Sequence, residues 1–165
     1  MEIWLLSFVG GFVGSVFMDI TETRLSKFGI SSGVTGAYIG RWVNGILNGI
    51  LMHQDIAKAK PVKDEVRIGQ VFHFVVGGGV VALFYPLFLE LIGFDGPLNH
   101  LISATIFGLV TSVLPWFVLM PSFGWGVFGS NAPNGARPLI SPVLSHIPYG
   151  FGIGLTLLSY YAVIG

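Results

Sequence analysis

Four stretches of this chain are almost unbroken apolar runs: Ile3 to Ile20, Val71 to Ile92, Leu98 to Met120 and Leu139 to Ile164. A helix rises about 1.5 Å per residue and a bilayer core is about 30 Å thick, so roughly 20 apolar residues cross it. The pattern predicts an all-α, polytopic membrane protein, a single integral membrane domain over residues 1–165. Its spans cover about 3–22, 69–93, 98–120 and 139–164, with connectors over about 23–68 and 121–138. Between Val34 and Met52 the rhythm changes. Tyr38, Ile39, Trp42, Val43, Ile46, Leu47, Ile50 and Leu51 recur at helical spacing opposite a polar stripe of Arg41, Asn44 and Asn48. This predicts an amphipathic helix between the first and second spans, lying at the interface or folded back on the bundle.

Breakers mark the joints. Ser31 to Gly33 reads as a turn, as does Phe94-Asp-Gly-Pro97, which would make the second and third spans antiparallel neighbours. Pro115 and Pro121 kink or stop the third span. The glycine-rich stretch from Pro121 to Pro138 must lie at the interface or pack within protein, and is expected to cap the bundle. Ile3 to Ile20 reads as a retained span: Glu2 stands where a signal peptide carries a basic residue, and no small-residue cleavage site follows.

Composition narrows the chemistry. Only 10% of the residues are charged and 53% are hydrophobic, which makes lipid the main solvent. The absence of cysteine excludes disulfides, iron–sulfur clusters and thiolate chemistry, so any metal would be held by His, Asp or Glu. The formal net charge is zero, giving no footprint for nucleic acid. Charge placement carries more. Arg24, Lys27, Arg41, Lys58, Lys60, Lys63 and Arg67 fall in the first connector and Arg137 in the second. Basic residues near span ends stay in the cytoplasm, so both connectors are expected inside and both termini outside, with Glu2, Glu90 and Asp95 at the outer surface.

Sorted this way, three ionisable side chains reach similar depth. His73 lies roughly 9 Å inward from Arg67, His146 roughly 13 Å from Arg137 and Asp19 roughly 8 Å from Arg24. Such groups are costly in lipid and face a bundle interior. Each histidine is followed by glycine at the same offset, His73 to Gly77 and His146 to Gly150, on one helix face. The notch so formed admits a neighbouring helix or a flat ligand, and small residues at this spacing, Gly10 and Gly14 included, mainly let helices approach. For the histidines three readings stand. They bond across helices to Asp19, Ser145, Asn131 or a free carbonyl; or, with Asp19 or Glu65, they hold a divalent metal or pass protons; or they are axial ligands of a haem. Arg41-Trp42 reads as a lipid-headgroup clamp or as ordinary snorkelling. His53 and Asp55 have ligand chemistry in a solvated loop, and His100 reads as an interfacial residue. No nucleophile elbow, phosphate loop or zinc-protease helix occurs, so no reaction class is assigned.

With these residues in place the chain resembles a bacterial family, domain of unknown function 2938, over almost its whole length. The matching residues are Gly40-Arg41-Trp42; His53 and Ile56; Glu65, Gly69 and His73; Met120-Pro121; Pro133; Arg137; and His146 with Gly150. The chain departs from the family pattern at Gln70 and Phe74, which removes a tyrosine hydroxyl from beside His73. The resemblance implies a small protein of about four spans in a bacterial inner membrane. It groups Arg41, His53, Glu65, His73, Arg137 and His146 as one constellation, and implies no reaction.

The expectation is therefore a polar pocket on the connector side. Arg41, Trp42, His53, Glu65 and Arg137 would take a small anionic or lipid-derived ligand, while His73, His146 and Asp19 would hold a metal. The rival is a non-catalytic accessory subunit of a larger membrane complex or a homo-oligomer, in which the same residues stitch helices together. A transport role comes third, because four short spans enclose a path only as an oligomer.

Overall fold

Apolar runs fold into helices here, and prolines and glycines decide where those helices widen or end. The computed structural model describes residues 1–93, 96–133 and 136–164. In chain order the elements are α1 (Glu2–Ser26), α2 (Gly36–Leu47), α3 (Glu65–Phe72), α4 (Tyr85–Ile92), α5 (Pro97–Thr111), α6 (Met120–Ser122) and α7 (Ser141–Ile164). Wide π turns occupy His73–Val80 and Pro115–Leu119, and a 3-10 turn occupies Val127–Gly129. Among the described residues there is no strand. Four helical segments are long and apolar enough to cross a membrane: Glu2–Ser26, Glu65–Ile92, Leu98–Ser122 and Ser141–Ile164.

Proline explains the irregular helices. Pro86 has no N–H for the carbonyl a turn earlier, and the chain tightens ahead of it through Leu83 N–H to Val80 O and Phe84 N–H to Val81 O, both 3.1 Å. Pro115 widens its helix instead of ending it, and the third apolar segment runs on to Ser122 before Gly124 (φ +82°) turns the chain. Pro148 sits inside α7, which continues through it. The turn expected at Phe94–Pro97 lies partly outside the described residues, as do Asn134 and Gly135 of the second connector; Gly93 (φ +66°) closes α4 just before it.

The packing resolves into two compact units. The first unit comprises Met1–Thr23, Phe74–Thr111 and Val143–Gly165. Its helices meet backbone to backbone. A Cβ on Gly11 would strike the carbonyl of Gly78, one on Gly14 that of Tyr149, and one on Gly108 that of His146. Lipid gives helices no hydrophobic reason to associate, so close van der Waals approach across small residues has to hold them. Tyr85, Ala104, Phe107, Tyr149, Ile153 and Leu157 fill the core beside these crossings.

The second unit comprises Arg24–His73 and Ser112–Pro142. Here α2 crosses α3 through glycine: a Cβ on Gly40 would strike Glu65 O, and one on Gly69 would strike Gly36 O. Aromatic rings form the rest of its core. Trp42 lies edge-on to Phe72 and Phe123, with centroids at 5.5 and 6.3 Å, and Trp125 lies edge-on to Phe123 at 5.3 Å and to Tyr38 at 5.9 Å. Phe123, Trp125 and Gly129 of the glycine-rich segment after Met120 are thus packed within protein, one of the two options for irregular backbone in a membrane protein.

The amphipathic helix forms, but over Gly36–Leu47, shorter than the Val34–Met52 pattern. Thr35 opens it, its hydroxyl accepting from Tyr38 N–H. Asn48 and Gly49 close it: Ile50 N–H bonds Gly45 O at 2.8 Å and Gly49 N–H bonds Ile46 O at 3.0 Å, with Gly49 at φ +80°. That paired closure ends a helix whatever the apolar spacing beyond it.

Candidate functional site

The second unit gathers most of the polar residues singled out in the sequence. Arg41 projects from α2 to the start of α3, where its Nε and Nη2 donate to Glu65 Oε2 and Oε1 at 2.7 and 2.9 Å. This is a bidentate pair, with side chains only 13% and 15% exposed. Nη1 points to the carbonyls of Ile56, Ala57 and Ala59 at 3.3 to 3.4 Å. Glu65 Oε2 also accepts from Val62 N–H at 2.9 Å. The hydrogen bonds to Glu65, more than the opposed charge itself, raise the guanidinium pKa above its ordinary value. Trp42 donates its indole N–H to Leu51 O at 3.1 Å. Neighbouring residues of α2 thus hold the two ends of the 51–59 loop, and the headgroup clamp expected of Arg41-Trp42 is occupied by the chain itself.

His53 lies in that loop. Its backbone N–H donates to Ser122 O at 2.8 Å, and Ile56 N–H donates to Phe123 O at 2.9 Å, so two backbone bonds strap the loop to the end of the third apolar segment. Gly124 seats this strap, since a side chain there would meet Gln54 O. The imidazole Nε2 is buried without a hydrogen-bond partner, facing the bare Gly45 of α2. His53, Gln54, Asp55, Lys58 and Ala59 line an open depression of 490 Å³. Lys58 and Asp55 pair across it at 3.1 Å, while Asp55 also accepts from Ala57 N–H.

Arg137 belongs to the same unit, with an exposed side chain. Its backbone does the tethering: the N–H donates to Ser31 O at 2.6 Å and the carbonyl accepts from Ser141 N–H at 2.9 Å, joining the Ser31–Gly33 turn to the start of α7.

The expected metal ligands lie on three elements. His73 closes α3 in the second unit, whereas His146 on α7 and Asp19 on α1 belong to the first, where Asp19 is exposed. Among the described residues no three of His, Asp and Glu are grouped as a metal ion requires. The notch below His146 is filled by protein: Gly150 abuts Ala104 O and the Cα of Thr105, so α5 takes the place that a flat ligand would need. Gly78, beside Gly77 in the other motif, is covered by Ser15 and the Gly11 carbonyl.

Two features of the first unit were not apparent from the sequence. His100, expected at the interface, is 8% exposed, with Nδ1 2.9 Å from the hydroxyl of fully buried Tyr85 and its ring stacked on Tyr161 at 5.5 Å. Its spacing from Ala104 and Phe107, both buried, was the available signal. Tyr149 donates its hydroxyl to Gly78 O at 2.7 Å, a carbonyl inside the wide π turn.

A family model described as "Protein of unknown function (DUF2938)" matches residues 8–160, and the chain belongs to that family. Comparison with curated proteins and with solved structures gave no match.

Proposed function

For this member of the DUF2938 family we propose a non-catalytic role: an accessory subunit that packs within a larger membrane complex, its connectors on the cytoplasmic side. One observation carries the reading. The guanidinium of Arg41, the best anion binder in the sequence, spends its donors on Glu65 and three backbone carbonyls. Tyr149 likewise spends its hydroxyl on a helix carbonyl. Polar groups consumed in this way stitch helices and loops together. All eight Lys and Arg residues fall in the second unit, which supports the cytoplasmic placement.

Gentle extraction into nanodiscs followed by native mass measurement tests the role. The chain should leave the membrane in an assembly of fixed composition, heavier than its own 17.7 kDa, and should carry no stoichiometric small molecule. A lone chain that retains one bound solute, lost on His53→Ala, overturns it.

A second reading rests on the depression beside His53. Its lining includes the amide of Gln54 and the ammonium of Lys58, groups that can donate to a small anionic ligand. The retained solute of the same experiment would select it.

A further inference from the structure

We propose that the turn leaving α2, Ile46 to Met52, is an apolar prong inserted into the bilayer, seated in the leaflet where the Leu98–Ser122 helix ends. Within its own unit α2 turns its other residues inward: Ile39, Trp42 and Gly45 are buried. The turn does the opposite, with Leu47 80%, Ile50 50%, Leu51 64% and Met52 65% exposed. Four large apolar side chains facing outward within six residues, on a loop whose backbone is fixed by Trp42 and by the closure at Gly49, form a rigid apolar surface.

The strap identifies what covers it. His53, the next residue, is hydrogen-bonded to Ser122, the last residue of a helix apolar and long enough to cross a membrane. Wherever that helix leaves the hydrocarbon, the prong is held beside its exit. At that depth lipid is the abundant neighbour. The loop that continues from the prong carries exposed Lys60 and Lys63, which suit anionic headgroups just above buried apolar side chains. The inference needs the spans and this strap alone, and stands whether or not the chain has an assembly partner.

The chain has no cysteine, so a single introduced thiol reports one position without background. Leu51→Cys and Met52→Cys would be labelled with an environment-sensitive fluorophore in vesicles of phosphatidylcholine and phosphatidylglycerol. Phe117→Cys on the span and Lys60→Cys on the loop serve as references. Emission from positions 51 and 52 should shift to the blue and be lost to brominated acyl chains as strongly as that from position 117, with position 60 unaffected. Labels at 51 and 52 that behave like the one at 60 overturn the proposal. So does shielding from aqueous iodide that grows with protein concentration and ignores brominated lipid, since that assigns the surface to a second copy. The unmodified protein gives an independent measurement. In vesicles Met52 should resist aqueous peroxide while Met1, wholly exposed, is oxidised, and equal oxidation of the two overturns the proposal.

Discussion

Both units of this molecule bring helix onto helix across glycine, but they differ in what fixes the rest. The first holds none of the eight Lys and Arg residues and closes its helices across glycine, at Gly11 on Gly78, Gly14 on Tyr149 and Gly150 on Ala104. The second holds all eight, and locks its loops with the Arg41–Glu65 pair, an indole donor and a cluster of edge-on aromatic rings. Two different solvents would impose such a difference. In hydrocarbon, burying apolar area gains nothing, so contact distance decides and the smallest side chain wins. Where water reaches the chain, burying rings is favourable and a shielded ion pair fixes geometry.

Substitutions can break that contrast in descending order of effect. Gly150→Leu drives a side chain into the α5 backbone at Ala104 and Thr105, which has no rotamer to yield. The expected cost exceeds the usual overpacking penalty of about 1–3 kcal/mol. Loss of the native fold in detergent, read by resistance to sodium dodecyl sulfate, is the expected outcome. Trp125→Ala empties the aromatic core of the second unit and should cost about 3–5 kcal/mol of thermal stability in detergent. If it leaves the melting curve unchanged, burial is not what holds this unit.

Arg41→Lys keeps the charge but loses the planar fork and the reach to three carbonyls, so it should lower the melting temperature by less than Trp125→Ala and more than Tyr149→Phe. It should also change the pH response. A cation whose pKa is raised on folding contributes its stability below the unfolded value and loses it as pH rises through the folded one. For Arg41 that loss lies beyond the ordinary arginine range. A lysine there brings the onset down to about pH 10.4, so melting curves above that pH should separate the variant from the parent further than at neutrality. Tyr149→Phe removes one hydrogen bond to Gly78 O and should cost about 0.6 kcal/mol, the usual worth of such a bond between membrane helices.

Periodicity and charge made the architecture legible. Spans, the existence of α2 and the gathering of basic residues all follow from local patterns, because hydrocarbon thickness and helix pitch leave few alternatives. The site was legible only in its membership. Arg41 and Glu65 stand 24 positions apart, and nothing in the spacing says that they neutralise each other. Of the two readings open for the His-Gly motifs, Gly150 follows helix packing. Gly150 marks a close helix crossing, a contact to which its own stretch of sequence contributes one side only. His100 carried a helical-face signal with Ala104 and Phe107, masked by its position near a span end.

The π turn at His73–Val80 has a consequence for how this chain tolerates changes in length. A widened turn accommodates an added residue while the helix beyond keeps its heading. Removing one residue there is expected to restore ordinary pitch without swinging Tyr85 away from His100, whereas the same deletion in α5 would rotate everything downstream by about 100°. The contact such a deletion would disturb is that of Tyr149, whose hydroxyl donates to Gly78 O inside the turn.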